Sequence, residues 1–203
     1  MNPLKSITGT IISGFVLAIV LMFILGTSGT INPWEIWVWF HVMVGITWIG
    51  LLYYFNFVQV PGVGKALAEA NDGGPGPAAI NKYVAPAALL WFRWAAVATW
   101  ITGVLALEAM HTVAGSGFIA AFTFQEGYQV IGMGAWLGTI MLLNVWGLIW
   151  PNQKKILGLD GKEHSAEAIA KAKVVALMAS RTNTLLSIPM LLGMTAHMHG
   201  MPF

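Results

Sequence analysis

Five histidines stand in a chain of 203 residues. Imidazole is the side chain best suited to hold a transition metal or move a proton near neutral pH. His41, His111, His197 and His199 have largely apolar surroundings, whereas His164 follows Lys162 and Glu163 and reads as a solvated loop residue. Gly45 follows His41 by four positions and Gly193 precedes His197 by four, a spacing that stacks each pair on one helix face. A flat macrocycle gripped by two histidines from opposing helices needs clearance beside each ligand, and glycine supplies it. The same glycines could instead let helices pack closely. Trp48, with Trp37, Phe55, Met43, Met190 and Met194, is a candidate wall. The chemistry this suggests is a b-type haem held axially by His41 and His197, with His111 as first substitute. Helix capping or interfacial hydrogen bonding is the plainer use of each histidine.

Two further groups compete for attention. Met194, His197, Met198, His199 and Met201, with Glu108 and His111, combine thioether and imidazole. Those ligands suit copper, which makes copper the alternative cofactor and His199 an alternative metal ligand. Arg93 and Arg181, with Asn144, Asn152 and Gln153 at a similar depth, could line an anion or substrate cavity. Snorkelling to the interface explains either arginine as well. Pro189 interrupts the last helix between these two levels and frees the carbonyl of Leu185.

The elements that must position these groups follow from composition. Charged residues make up 9% of the chain, apolar residues 57%, and mean hydropathy is +0.72. A soluble domain carries about 25% charged residues, so water cannot be the main solvent of this surface. A net charge of +2 leaves no basic patch for nucleic acid. Cysteine is absent, which excludes disulfides, iron–sulfur clusters and C-x-x-C-H haem attachment. A helix needs about 20 apolar residues to cross about 30 Å of hydrocarbon. The sequence predicts five such helices, at about 7–26, 34–59, 82–109, 127–150 and 165–199, in one membrane domain over 1–203. Pro61-Gly62, Pro151-Asn152 and the run Asn71 to Pro77 read as turns between them. The first helix reads as a retained anchor, since no small-x-small cleavage site follows it.

Charge placement gives the expected topology. Lys5, Lys65, Lys82, Lys154, Lys155, Lys162, Lys171 and Lys173, with Arg93 and Arg181 in the nearer halves of their helices, fall on one side of this map. The positive-inside rule makes that side cytoplasmic. The expectation is therefore an all-α integral membrane protein, a five-helix bundle with N-terminus cytoplasmic and C-terminus periplasmic, in the bacterial inner membrane. His41, His111, His197 and His199 then meet near the outer face. An intramembrane histidine is costly and reads as functional by default.

Four blocks of sequence resemble one family. They are His41-Val-Met-Val-Gly45-Ile-Thr-Trp48-Ile-Gly50, and Trp91-Phe92-Arg93-Trp94 followed by Ala98-Thr99-Trp100. Next come Gly134-Ala135, Thr139-Ile140-Met141 and Asn144 running on to Trp150-Pro151-Asn152-Gln153-Lys154. The last is Ser180-Arg181-Thr182-Asn183 with Pro189 and His197. In this order they resemble the N-terminal membrane domain of bacterial membrane-bound urate oxidases. The resemblance implies a helical membrane domain with haem-ligating histidines, coupled to purine oxidation through a fused cytochrome c. This chain is shorter, has no cysteine for a c-type haem, and lacks histidines that the resemblance implies near Gly132 and Thr182. The expected function is thus a haem b electron-transfer subunit serving a separate cytochrome c, a quinone or a respiratory partner. It would sit among membrane lipids, in a larger complex or a homo-oligomer. The alternatives are a urate or quinol oxidoreductase in its own right, and a copper-handling or structural subunit.

Overall fold

The computed structural model of the chain describes residues 2–26, 29–110 and 115–202. All regular structure among them is helical, as expected where lipid offers the backbone no hydrogen bonds and each segment must satisfy its own. Five helical stretches are long and apolar enough to cross a membrane: Ile7–Leu25, Pro33–Ala68, Ile80–Ala109, Gln129–Ile156 and Ala166–His199. By internal contacts the chain clusters into two compact units, Met1–Asn32 and Pro33–Phe203.

The first unit is built around α1 (Ile7–Leu25). Ser6 caps it by accepting from the Gly9 N–H at 3.0 Å, and none of its residues is buried. Its side chains Ile11, Val16, Val20 and Phe23 are exposed, an apolar cylinder suited to acyl chains.

The second unit contains α2 (Pro33–Tyr54), α3 (Val60–Ala68), α4 (Ala85–Ala109), α5 (Gly117–Phe122), α6 (Gln129–Asn144), α7 (Trp150–Ile156) and α8 (Ala166–His199). Pro61-Gly62 and Pro151-Asn152 do not end their helices, contrary to the expectation from turn chemistry. Each proline falls in the first turn of a continuing helix, α3 or α7, where its missing N–H costs least. One wide turn precedes each: Val60 N–H reaches back to the Phe55 carbonyl and Trp150 N–H to Val145. Ala85 N–H does the same to Ile80 just before Pro86. These π-helical turns move the backbone out of the path of the proline ring, so the helix runs on.

Two antiparallel pairs make the bundle. In one, α2 lies along α4, joined by His41 to Thr99 at one end and by the edge-on rings of Phe55 and Phe92, 5.4 Å apart, at the other. In the second, α6 lies along α8. A Cβ on Gly193 would come 2.9 Å from the Gly134 nitrogen and 2.9 Å from the Val130 carbonyl, so only glycine allows this approach of backbones. Between the pairs, Trp48, Leu52, Phe55, Phe92, Met141, Val145 and Ile149 form the core. Asn183 is fully buried there; it donates to the Met141 carbonyl at 2.9 Å and accepts from Asn144 at 3.0 Å. Every lysine of this unit lies towards the end formed by α3, α7 and the start of α8. The histidines His41, His197 and His199 lie towards the other.

Candidate functional site: a cavity at the histidine end

Towards the histidine end the two pairs part and enclose a cavity of about 890 Å³. That is within the range of small-molecule and cofactor pockets, about 300–1,000 Å³. His41, Gly45 and Trp48 of α2 line it, with Thr99 and Gly103 of α4 and Met190, Met194, His197 and His199 of α8. Three expected site residues of α2, His41, Gly45 and Trp48, meet two of α8, His197 and His199, although more than a hundred residues separate them in sequence.

His41 is the best-defined of them. Its Nδ1 lies 2.8 Å from the Thr99 carbonyl oxygen and 3.4 Å from the Thr102 hydroxyl. A carbonyl only accepts, so Nδ1 carries the proton and Nε2 of the neutral ring keeps its lone pair. The Thr102 hydroxyl already donates to the Ala98 carbonyl at 2.7 Å. This bond is possible because Gly103 has no side chain. In a helix the Cβ leans towards the N-terminus and covers the preceding turn. A Cβ on Gly103 would come 2.9 Å from the His41 Cε1 and 3.1 Å from its Nδ1. Gly103 therefore gives the ring the room that sequence reasoning assigned to Gly45. Gly45 lines the cavity, where a Cβ would only make ordinary contact with Thr99 at 3.7 Å.

His197 is half-buried, with its ring 5.9 Å from that of Tyr128, and shares the cavity with His41. His199 lines the same space and is exposed. Gly193 does not reach the cavity lining; its bare face is occupied by Gly134, the close-packing use of the glycine. His111 lies outside the described residues. Glu108 is committed elsewhere, its carboxylate accepting from the Ser116 hydroxyl and from the Phe118 N–H at 3.2 Å at the start of α5. Among the described residues no cluster of three or more His, Asp or Glu forms a metal-binding group.

The expected anion cavity is placed differently. The Arg93 guanidinium lies over the Trp150 ring at 3.8 Å, Asn144 donates to Asn183, and Arg181 is exposed. None of the three lines the large cavity. His164 binds Asp160 at 2.7 Å in the loop before α8, and the imidazole holds that carboxyl below the usual aspartate range.

The residues that sequence reasoning missed, Thr99 and Gly103 of α4 and Gly134 of α6, are all partners of residues it had found. A Thr-x-x-x-Gly step on the helix opposite His41 is the one signal that was available.

Comparison with known proteins bears on the second half of this site. Residues 108–203 match the model of the family described as urate oxidase N-terminal, and this segment is urate oxidase N-terminal-like. The match contains α6, α8, His197 and the Asn144–Asn183 pair, and begins after the blocks around His41 and Trp91. No curated protein and no solved structure matches the chain.

Proposed function

We propose that the chain is a haem b-binding, electron-transferring membrane subunit related to the membrane domain of urate oxidase, in which His41 and His197 would hold the haem iron. The observation that carries this reading is the His41 hydrogen bond to the Thr99 carbonyl. Metal-ligating histidines almost always donate their other N–H to a carbonyl or carboxylate, which fixes the tautomer, aims the ring and raises ligand basicity. Here that bond stands at the edge of a mostly apolar cavity of fitting size, which α8 lines with a second histidine.

The residues present suit the group. His41 and His197 would hold the iron, Gly103 keeps the His41 ring in place, and Met190 and Met194 give soft, polarizable walls. A bound haem supplies one-electron chemistry, tuned by its axial ligands and by burial. The chain itself excludes water from the deep side, where Trp48, Leu52 and Met141 close the core. The lysine end of the unit is the cytoplasmic one by the positive-inside rule, so the histidine end faces the periplasm of a bacterial plasma membrane. A separate cytochrome c or a respiratory partner would exchange electrons there.

A copper reading is favoured by one observation: Met194, Met198, His197 and His199 line the same cavity. The visible spectrum of the purified protein separates the two. A Soret band with reducible α and β bands supports haem, and a colourless preparation carrying copper overturns it.

A further inference from the structure

Away from the cavity, where α4 meets the α6–α7 stretch, two cations share one ring. The Arg93 guanidinium of α4 lies 3.8 Å from the centroid of the Trp150 ring at the start of α7. Lys154 Nζ, one turn further along α7, lies 5.7 Å from the same indole. The Arg93 backbone stands level with Trp146, whose Nε1 donates to its carbonyl at 3.3 Å. The Arg93 side chain therefore reaches about one turn towards the lysine end, the direction of snorkelling.

That reach leaves the charge without a partner. Arg93 stands thirteen residues into the apolar stretch Ile80–Ala109, about 20 Å along it at 1.5 Å per residue. A charge at such a position is costly unless it is paired. Among the described residues the one ion pair is His164 with Asp160, so neither Arg93 nor Lys154 has a carboxylate. Stacking on Trp150 uses only the flat face of the guanidinium, and its in-plane N–H groups have no protein acceptor among the described residues. Two cations at one indole also repel each other, the more so where lipid lowers the local dielectric constant. An anion bound to both removes both costs.

The flanking surface selects the anion. Leu90, Trp94 and Ile101 share a face of α4 beside Arg93 and are 45%, 54% and 48% exposed. Trp94 meets Trp146 edge-on, with ring centroids 5.4 Å apart, so this apolar face borders the seam and runs from it towards the histidine end. A free phosphate has no use for such a surface, whereas an acyl chain does. Arginine's planar fork matches two phosphate oxygens at once, and lysine adds a point charge. A zwitterionic head group would bring its own ammonium against Lys154; a net-negative one does not.

We propose that this seam holds an acidic phospholipid. Its phosphodiester sits against Arg93 and Lys154 beside Trp150, and an acyl chain runs along Leu90, Trp94 and Ile101. The site is separate from the cavity and rests on neither the haem nor the copper reading.

The test uses the full chain in a neutral detergent, incubated with an equal mixture of phosphatidylglycerol and phosphatidylcholine. Retained lipid is counted per protein by native mass spectrometry. Wild type is expected to hold about one phosphatidylglycerol, severalfold in preference to phosphatidylcholine. Arg93→Gln and Lys154→Gln should each cut that retention severalfold at unchanged helical content. Lys154 lies in the last turn of α7, so its variant folds even where loss of the Arg93 stack disturbs the bundle. Lys82→Gln removes an equal charge from the same end, where Lys82 stands over Tyr83 at 5.1 Å, and should retain lipid as wild type does. Equal retention of the two lipids, no loss in either seam variant, or the same loss in Lys82→Gln overturns the proposal. Displacement of the lipid by an equimolar amount of inorganic phosphate also overturns it, since the seam would then be a site for the free ion.

Discussion

The two ends of the second unit are built from the same helices and put polar groups to opposite uses. Towards the lysine end, side-chain donors are spent on neighbours: Asn144 on Asn183, Asn183 on Met141, Asn56 on Leu52 and Ser180, Trp146 on the Arg93 carbonyl. What is left over there is acceptor capacity, on Asn56 Oδ1 and Gln59 Oε1. Towards the histidine end the His41 ring, bonded through Nδ1, keeps the lone pair of Nε2 at the cavity edge. Closing the bundle at one end is what permits a cavity at the other. The closed end supplies interhelical bonds and a packed core, and the open end keeps groups with chemistry to offer.

Breaking the open end at the proposed haem ligand should have the largest effect. His41→Ala is expected to abolish the Soret band, a loss of at least about 100-fold in haem retention, with helical content and expression maintained. A full haem complement in this variant would move the ligand assignment elsewhere.

Breaking the closed side of α8 should act on stability. Gly193→Ala drives a Cβ into the backbone of Gly134 and Val130, and overpacking of this kind costs about 1–3 kcal/mol. Thermal unfolding in detergent measures it. Asn183→Leu removes the partner of the Asn144 amide and the second bond to the Met141 carbonyl, at about 1–3 kcal/mol. It should leave the spectrum of any bound haem in place, which is what separates the two ends.

A milder change sharpens the contrast within the cavity. Gly103→Ala pushes the His41 ring off the Thr99 carbonyl, and loss of such an orienting bond weakens metal retention by about 10–100-fold. An unaltered spectrum and affinity would mean that Gly103 is mere packing.

The smallest effect belongs to the loop outside both regions. Asp160 is held below the ordinary aspartate pKa of about 3.9 by the His164 hydrogen bond. A depressed carboxyl contributes stability above its unfolded pKa and loses it as pH falls through the folded value. Asp160→Asn should therefore differ slightly from wild type at neutral pH and converge with it below about pH 4, read by thermal unfolding across pH.

Sequence reasoning reached the helices because hydrocarbon thickness fixes their length, and their bounds lie within a few residues of expectation except at the prolines. It brought His41 and His197 together because alternating helix direction sorts residues by depth. It could not say which way a side chain faces. In a soluble helix the apolar stripe points at the core, but around these glycines α2, α4 and α8 carry apolar residues on every side, so Gly193 could not be told from Gly45, nor Gly103 singled out. The continuation through Pro61 and Pro151 was hidden for another reason: a wide turn written in backbone bonds has no residue type of its own.

The length of the second helical stretch has a consequence at the opposite end from the cavity. From Pro33 to Ala68 it runs 36 residues without a break, about 54 Å at 1.5 Å per residue. The hydrocarbon it crosses is about 30 Å thick. More than a third of its length must therefore tilt or stand clear of the acyl chains, and the excess carries Lys65, as the last turn of α7 carries Lys154 and Lys155. The wide turns before Pro61 and Pro151 then fall near the end of the hydrocarbon-spanning length, and the lysines beyond them make a cationic apron suited to lipid phosphates.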